Sequence, residues 1–178
     1  MHKSVLGPKL DVLMEIIKNG KFKSYIEIGC YQCVTLEYVS SIGSIFGLER
    51  CVGFDLFEAH SGEHGELGVG VEYAPLDGPP VSYEEAVAMG LEVYKGDTKV
   101  TLPSILPTLK LAEPVLAFVD GGHSFETCLA DIKNVVAAYP RATLVVDDCD
   151  YPGVTRAVNE CGLASRGLPY FLALVNAY

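Results

Sequence analysis

Positive charge is scarce in this sequence. Thirteen lysines and arginines stand against 23 aspartates and glutamates, and the formal net charge is -10 at pH 7. Proteins that follow a nucleic-acid backbone or an anionic membrane surface have the opposite balance. No apolar run approaches the roughly 20 residues that cross a bilayer, and no basic segment followed by an apolar one marks a secretory signal. We therefore expect no nucleic-acid partner, no membrane partner and a cytoplasmic location.

Internal repeats and low-complexity segments are absent as well. The 178 residues suffice for one domain with a sizeable core, so we predict a single domain over residues 1–178. The six cysteines are expected to be reduced thiols, because four of them lie in or beside predicted strands and helices. Residues 58–80 are rich in glycine and proline and predict a loop insertion, which we interpret as a lid or binding loop.

One apolar run, at residues 115–119, ends abruptly in Asp120, two glycines and His123. A continuous apolar run of this length indicates a strand buried on both faces, as in a parallel sheet between helices. Residues just beyond the carboxyl end of such a strand are where α/β proteins place their chemistry. This strand end is therefore the first candidate for a functional site.

Strands and helices alternate along the whole chain. The predicted strands span residues 25–29, 51–56, 91–95, 115–119, 142–146 and 168–175. The predicted helices span residues 8–19, 35–42, 82–89, 99–111, 124–139 and 154–161, and the fourth, which contains two prolines, is expected to be either a helix or a broken helix. Five strand-helix alternations predict an α/β fold with a doubly wound, mostly parallel Rossmann-like sheet. The expected strand order is 3-2-1-4-5 plus a C-terminal strand, with helices on both faces.

Acidic and polar residues follow most of these strands. In the predicted order, the carboxyl ends of the parallel strands share one edge of the sheet. An acid at the end of the second strand, here Asp55, is the usual partner of a ribose diol. The residues that converge on this edge are Glu27, Gly29, Asp55, Asp97, Asp120, His123, Asp147 and Asp148. Their convergence is the main sign of function in the sequence.

Five segments on this edge carry a resemblance to a known family. They are Glu-Ile-Gly-Cys-Tyr-Gln-Cys-Val-Thr (27–35), Gly-Phe-Asp-Leu (53–56), Lys-Gly-Asp-Thr (95–98), Val-Asp-Gly-Gly-His-Ser-Phe (119–125) and Val-Val-Asp-Asp (145–148). In this order they resemble the motifs of class I S-adenosylmethionine-dependent methyltransferases, and most of all the small branch of macrocin-type sugar O-methyltransferases. The resemblance covers residues 20 to 160 and implies a methyltransferase that uses S-adenosylmethionine.

The resemblance also implies where the cofactor binds. Glu27 and Gly29 would shape the methionine pocket, Asp55 would hold the ribose, and Asp97 with Thr98 would lie near the adenine. The full set of implied cofactor-binding residues is Glu27, Gly29, Tyr31, Thr35, Asp55, Leu56, Asp97, Thr98 and Asp120. The family usually carries Gly-x-Gly-x-Gly in the first loop, whereas this chain has Tyr31 and Cys33 at the second and third glycines. We expect a β-carbon at Cys33 to crowd the cofactor and lower its affinity.

Methyl transfer to a hydroxyl requires that the acceptor lose its proton. A divalent cation on carboxylates can lower the pKa of the hydroxyl, and the resemblance implies Mg²⁺ on Asp120, Asp147 and Asp148. It also implies that His123, three residues beyond the first acid, is the base, and imidazole suits proton abstraction near neutral pH. The predicted catalytic residues are His123 and Asp120, and the predicted acceptor is a small hydroxylated molecule.

Structural interpretations of the same residues stay open. An Asp-Asp pair after a strand is often a turn and capping device, and His123 could brace the helix behind it. Cys30 and Cys33 have the spacing of a redox pair. A further cluster, with helical metal-ligand spacing among glycines that disfavour a helix, consists of Glu58, His60, Glu63 and His64.

Two other classes of function also stay open. The chain could be a methyltransferase-like domain that binds a cofactor or partner without turnover. It could also be another Rossmann-type enzyme, such as a nicotinamide-dependent oxidoreductase, although it lacks Gly-x-Gly-x-x-Gly after the first strand. The apolar C-terminal segment is compatible with a homo-oligomer.

Overall fold

The computed structural model describes residues 6–57 and 80–176. Apart from residue 80, the predicted insertion at 58–80 lies outside these residues, and so do the lid interpretation and the cluster of His60 and His64. No helix within the described ranges is long and apolar enough to cross a membrane. All six cysteines lie within them and are free thiols, as predicted.

Within the described residues, seven strands form one sheet in the order β3-β2-β1-β4-β5-β7-β6. The strands are β1 Ser24–Ile28, β2 Arg50–Asp55, β3 Val93–Lys95, β4 Val115–Val119, β5 Thr143–Val146, β6 Ala164–Gly167 and β7 Ala173–Asn176. The first five are parallel to one another, whereas β7 runs antiparallel to both β5 and β6. The predicted doubly wound, mostly parallel sheet and its 3-2-1-4-5 core are confirmed.

Six α-helices cover the two faces of this sheet in the described part of the chain. They are α1 Leu6–Gly20, α2 Val34–Ile42, α3 Tyr83–Ala88, α4 Thr98–Leu109, α5 Phe125–Ala138 and α6 Pro152–Glu160. Buried side chains of the first three form one core layer, and those of the last three form the other. Strand β4 contributes side chains to both core layers, because Ala117 belongs to one and Phe118 to the other. This explains why its sequence is apolar without alternation.

Helix α4 is continuous through its two prolines, so of the two predicted forms the structure has the unbroken helix. Pro103 and Pro107 are both exposed, four residues apart, on the solvent side of the helix. Water can satisfy the carbonyl groups that lose their partners there. Leu102, Leu106 and Leu109 are buried on the opposite side and hold the helix against the sheet.

The predicted C-terminal strand at 168–175 is present as β7, but it begins only at Ala173 and forms a hairpin with β6. Pro169, Tyr170 and Phe171 make its turn, and the last two have positive φ angles of 62°. Neither proline nor a left-handed residue continues a strand, so the apolar segment at 168–175 is divided between the turn and β7. The turn lies beside the carboxyl end of β5, where the Cys149 amide donates to the Phe171 carbonyl at 2.8 Å.

Candidate active site

Strands β1 and β4 approach each other closely where their carboxyl ends meet. The Asp120 amide donates to the Ile28 carbonyl at 2.8 Å. Gly29 has a φ of +85°, and a β-carbon there would lie 2.0 Å from the Asp120 carbonyl oxygen. Only glycine fits this position, so the site begins where the sequence predicted the topological switch point.

The loop after β1 keeps the backbone of a glycine-rich loop despite its larger residues. Tyr31 and Cys33 have φ angles of 46° and 58°, in the left-handed region where Gly29 also lies. L-residues adopt this region at a cost of about 1–2 kcal/mol each. The departure from Gly-x-Gly-x-Gly therefore changes the side chains at the loop, while the backbone retains the left-handed turns.

Asp55, at the end of β2, holds this loop in place. Its carboxylate accepts hydrogen bonds from the amides of Cys30 at 2.7 Å, Tyr31 at 3.0 Å and Phe57 at 2.6 Å. A carboxylate has about four lone-pair sites, so one acceptor position is left for a ligand hydroxyl. The predicted ribose contact of Asp55 stays a prediction with compatible geometry.

Glu27 is almost fully buried beneath the same loop. It accepts a hydrogen bond from the Tyr25 hydroxyl at 2.7 Å and another from the Leu36 amide in the first turn of α2. Burial raises its pKa to about 8, although these hydrogen bonds act in the opposite direction. Glu27 thus joins β1 to α2 at the floor of the predicted methionine pocket, and Thr35, in the first turn of α2, is also buried.

The residues predicted to lie near the adenine and ribose are more exposed. Asp97 caps α4 by accepting a hydrogen bond from the Lys99 amide at 2.9 Å, and Thr98 begins that helix. The Leu56 side chain is 48% exposed. Open side chains at this end of the sheet are compatible with a ligand that covers them.

Asp131 was not found from the sequence, because a single acid on a predicted helix is most often solvated. It is only 1% exposed on α5, and neither carboxylate oxygen has a hydrogen-bond partner of standard geometry among the described residues. A β-carbon on Gly121 would lie 3.2 Å from its Oδ2. Burial raises the pKa of Asp131 to about 7, while the nearby Thr98 hydroxyl lowers it.

Asp120, His123 and Asp148 each place one ligand atom within 4.8 Å of the others. His123 Nε2 lies 2.9 Å from Asp148 Oδ2, and the Tyr151 ring stacks on the imidazole with 4.4 Å between centroids. Gly153 allows the start of α6 to pack against the His123 backbone, since a β-carbon there would lie 2.5 Å from the His123 carbonyl oxygen. The predicted residues His123, Asp120 and Asp148 do meet at one point of the sheet edge.

Lys9 is the second residue that sequence reasoning missed. It lies in the first turn of α1, and its Nζ is 2.6 Å from Asp147 Oδ1 and 3.0 Å from Asp148 Oδ1. The sequence predicted only a covering helix here. The one available signal was a lysine at a helix amino terminus, where the helix dipole disfavours positive charge.

These contacts set the charges of the cluster. Burial and the charges of Asp147 and Asp148 raise the pKa of Asp120 well above its usual range. Burial also raises the pKa of Asp147, against the effect of Lys9. Burial alone would raise the pKa of Asp148 too, but hydrogen bonds from His123 and Lys9 lower it. Asp148 is therefore the carboxylate that stays ionised beside His123.

A small cleft opens at this cluster between the ends of β4 and β5. It is lined by Val119, Asp120, Gly121, Gly122, His123, Cys128, Val146, Asp147 and Val154. Its polar wall consists of residues that the sequence analysis named, and its apolar wall comes from the two strands, α5 and α6. Its interior volume is about 10 Å³, which is room for about one water molecule beside His123.

Known structures share this architecture, although no family model matches the chain and no curated protein sequence matches it either. The calicheamicin methyltransferase CalS11 superposes with a TM-score of 0.70 at 17% identity, over 95% of this chain and 77% of that one. Cofactor-bound Rv0187 from MTB gives 0.64 at 19% identity, over 99% and 83%. The D160 form of CmcI with Mg and SAM gives 0.56 at 12% identity, over 98% and 72%.

The chain has the fold of class I methyltransferases. This confirms the fold that the sequence resemblance implied, down to the similarity with a sugar O-methyltransferase. At these sequence identities, the structural similarity shows the fold alone. The roles of individual residues have to be argued from the geometry of the site. In this methyltransferase fold, the Gly29 loop lies on the predicted cofactor side of the edge and the His123 cluster lies on the predicted acceptor side.

Proposed function

We propose that this protein is an S-adenosylmethionine-dependent O-methyltransferase acting on a small hydroxylated acceptor. The observation that carries the proposal is the position of His123. Its imidazole is fixed by Asp148 at 2.9 Å and by the Tyr151 ring, next to the strand end that packs against Gly29. A base held by a carboxylate beside a cofactor loop is the arrangement that hydroxyl methylation needs.

The described residues fit the cofactor. The close approach of Gly29 to the Asp120 carbonyl leaves no room for a side chain, and three left-handed residues shape the loop around it. Asp55 keeps one acceptor position for a ribose hydroxyl while three amides hold it. When bound, S-adenosylmethionine supplies an electrophilic methyl group on a positively charged sulfur.

The residues of this chain supply the base and its orientation. His123 takes the proton of the acceptor hydroxyl as the oxygen bonds to the methyl carbon. S-adenosylmethionine held by Asp55 and the Gly29 loop would supply the methyl group and keep the electron pair of its carbon–sulfur bond, so the products would be a methyl ether, S-adenosylhomocysteine and a protonated His123. Asp148 stabilises that imidazolium through the Nε2 contact. Asp120, whose pKa is raised, can donate a hydrogen bond to the acceptor when it is protonated.

A divalent ion on Asp120, Asp147 and Asp148 does not fit these side chains in the described conformation. Lys9 is bonded to both Asp147 and Asp148. The three groups whose ligand atoms lie within 4.8 Å of one another, and so could hold an ion, are Asp120, His123 and Asp148, and a metal on them would occupy the imidazole that this proposal uses as the base. The proposed reaction therefore needs no metal, and the Mg²⁺ site implied by the resemblance stays a sequence prediction.

The acceptor, partners and location are also part of the proposal. CalS11 is described as a TDP-rhamnose 3'-O-methyltransferase, which supports a sugar hydroxyl as the first acceptor to test. The net charge of -10 supports a protein without a nucleic-acid or membrane partner. Six free thiols suit the reducing cytoplasm. Exposed Tyr170 and Phe171 at the hairpin turn support self-association.

Turnover with labelled S-adenosylmethionine tests the proposal. TDP-rhamnose and catechol serve as acceptors, and His123→Ala is compared with His123→Gln and the wild-type protein. We expect a methylated product from the wild-type protein, a loss of at least about 100-fold in both variants, and unchanged binding of S-adenosylhomocysteine. Full turnover by His123→Ala would exclude His123 as the base. Binding of S-adenosylhomocysteine with no product from either acceptor would favour a cofactor-binding domain without turnover.

A further inference from the structure

Lys9 reaches the candidate active site from the opposite end of the sequence. Helix α1 packs on the same face of the sheet as Val145. Alternation along β5 turns Asp147 towards that face as well. The Lys9 side chain is only 16% exposed, and its ammonium contacts one oxygen of Asp147 and one of Asp148. The first turn of α1 therefore delivers a positive charge to the carboxyl end of β5.

This charge lies where the chain concentrates negative charge. Asp147 is almost fully buried, Asp148 is about three-quarters buried, and Asp120 lies beside them. Adjacent carboxylates in such a place repel each other and need a counter-charge to stay ionised. Among the described residues, Lys9 is the lysine or arginine that forms ion pairs with these carboxylates. Its position is explained by this charge balance.

A divalent ion and the Lys9 ammonium compete for the same oxygens. Magnesium takes carboxylate oxygens as direct ligands at about 2.1 Å, and Asp147 Oδ1 and Asp148 Oδ1 already accept hydrogen bonds from Lys9. Two unshielded cations at such short range repel strongly. Metal binding through these two oxygens thus requires Lys9 to leave.

We propose that Lys9 takes the place of a divalent metal in this protein. Its ammonium neutralises Asp147 and Asp148 at the edge of the cleft that contains His123. This fixed positive charge stabilises the negative charge that develops on the acceptor oxygen while His123 removes its proton. The reaction therefore proceeds without a metal ion. This inference rests on the proposed methyltransferase function and assigns to its site a residue outside the strand ends.

Two measurements on the full chain test the inference, with Lys9→Met, Lys9→Arg and the control Lys133→Met. Lys133 is exposed on α5, so this control removes the same charge away from the site. The first measurement is binding of Mn²⁺ alone by electron paramagnetic resonance. We expect no binding to the wild-type protein, Lys9→Arg or Lys133→Met, and binding to Lys9→Met, whose carboxylates lose their ammonium. Thermal melts verify that each variant is folded.

The second measurement is methyl transfer to TDP-rhamnose or catechol with and without EDTA. We expect EDTA to leave wild-type turnover unchanged, and Lys9→Met to lose about 100-fold in EDTA and to regain part of it with Mg²⁺. Wild-type turnover that stops in EDTA and returns with Mg²⁺ would overturn the inference, and so would full turnover of Lys9→Met in EDTA. If no protein produces a methylated product, the proposed function fails, and Mn²⁺ binding alone decides the role of Lys9. Wild-type binding of Mn²⁺ as tight as that of Lys9→Met would then reject that role.

Discussion

Replacing Asp131 by asparagine should change how stability depends on pH. In the described structure, Asp131 is enclosed by α5, Gly121 and the start of α4, and the charged groups nearest to it are Asp97 and Lys99. Burial raises its pKa from 3.8 to about 7, Asp97 raises it further, and Thr98 and Lys99 lower it. Between these two pH values the folded protein binds a proton that the unfolded chain has released. The free energy of unfolding must therefore fall as the pH rises through this window.

The size of the effect follows from the two pKa values. A rise from 3.8 to about 7 corresponds to on the order of 4 kcal/mol between the ends of the window. About half of this, roughly 2 kcal/mol, falls between pH 5.5 and pH 8. Asparagine has nearly the same shape and no proton to lose. Glu27, whose pKa is about 8, contributes equally to both proteins and cancels in the comparison.

Urea unfolding followed by circular dichroism at pH 5.5, 6.5 and 8 measures this difference. The wild-type protein should lose about 2 kcal/mol more than Asp131→Asn between the extreme pH values. Thr98→Val, which removes the hydroxyl beside Asp131, should shift the same loss to higher pH. Parallel stability curves for the wild-type protein and Asp131→Asn would refute the account, because they would show that Asp131 titrates alike in the folded and unfolded chain.

Three further substitutions have defined outcomes. Gly29→Ala should lower the free energy of unfolding by at least about 3 kcal/mol, since it combines an unfavourable φ with a clash against the Asp120 carbonyl. The control Gly47→Ala, at a φ of +94° with open space around it, should lower it by only about 1–2 kcal/mol. Equal shifts in melting temperature for the two variants would contradict the clash. Asp55→Ala leaves three loop amides without their acceptor and should weaken S-adenosylhomocysteine binding by at least about tenfold, or roughly 1.4 kcal/mol, which calorimetry measures. Phe171→Asn should raise stability by about 1 kcal/mol, because asparagine tolerates the left-handed conformation better than this exposed phenylalanine; a lower melting temperature would indicate that the ring makes a stabilising contact.

Most of the sheet could be predicted from the sequence because its signals are local. Every residue of β4 is apolar, because its alternate side chains are buried in the two core layers on either side of the sheet. Parallel strands in this order end at one edge of the sheet. The acids at or near their ends, Glu27, Asp55 and Asp120, are therefore expected to lie near one another. The hairpin at the C-terminus was missed because the apolar residues continue through its turn, where only Pro169 gave a warning.

The site was predicted in part, for a related reason. His123 and the acids that follow β4 and β5 lie within a few residues of a recognisable strand, so topology brings them together. Lys9 and Asp131 lie on helices, and their roles depend on which way each helix faces across the sheet. A lysine near one end of the chain pairs with aspartates 138 and 139 residues later, a contact that no local pattern encodes. The partner of His123 could be named only once Asp148 was seen to turn towards it.

Calorimetric titration of the purified chain with S-adenosylhomocysteine, with and without Mg²⁺, tests the central claim most directly. A methyltransferase site built on the Gly29 loop and Asp55 should bind one molecule per chain, and the affinity should be the same in both conditions because Lys9 already supplies the charge at Asp147 and Asp148. Absence of binding in both conditions would contradict the assignment of this edge as a cofactor site, whatever the fold.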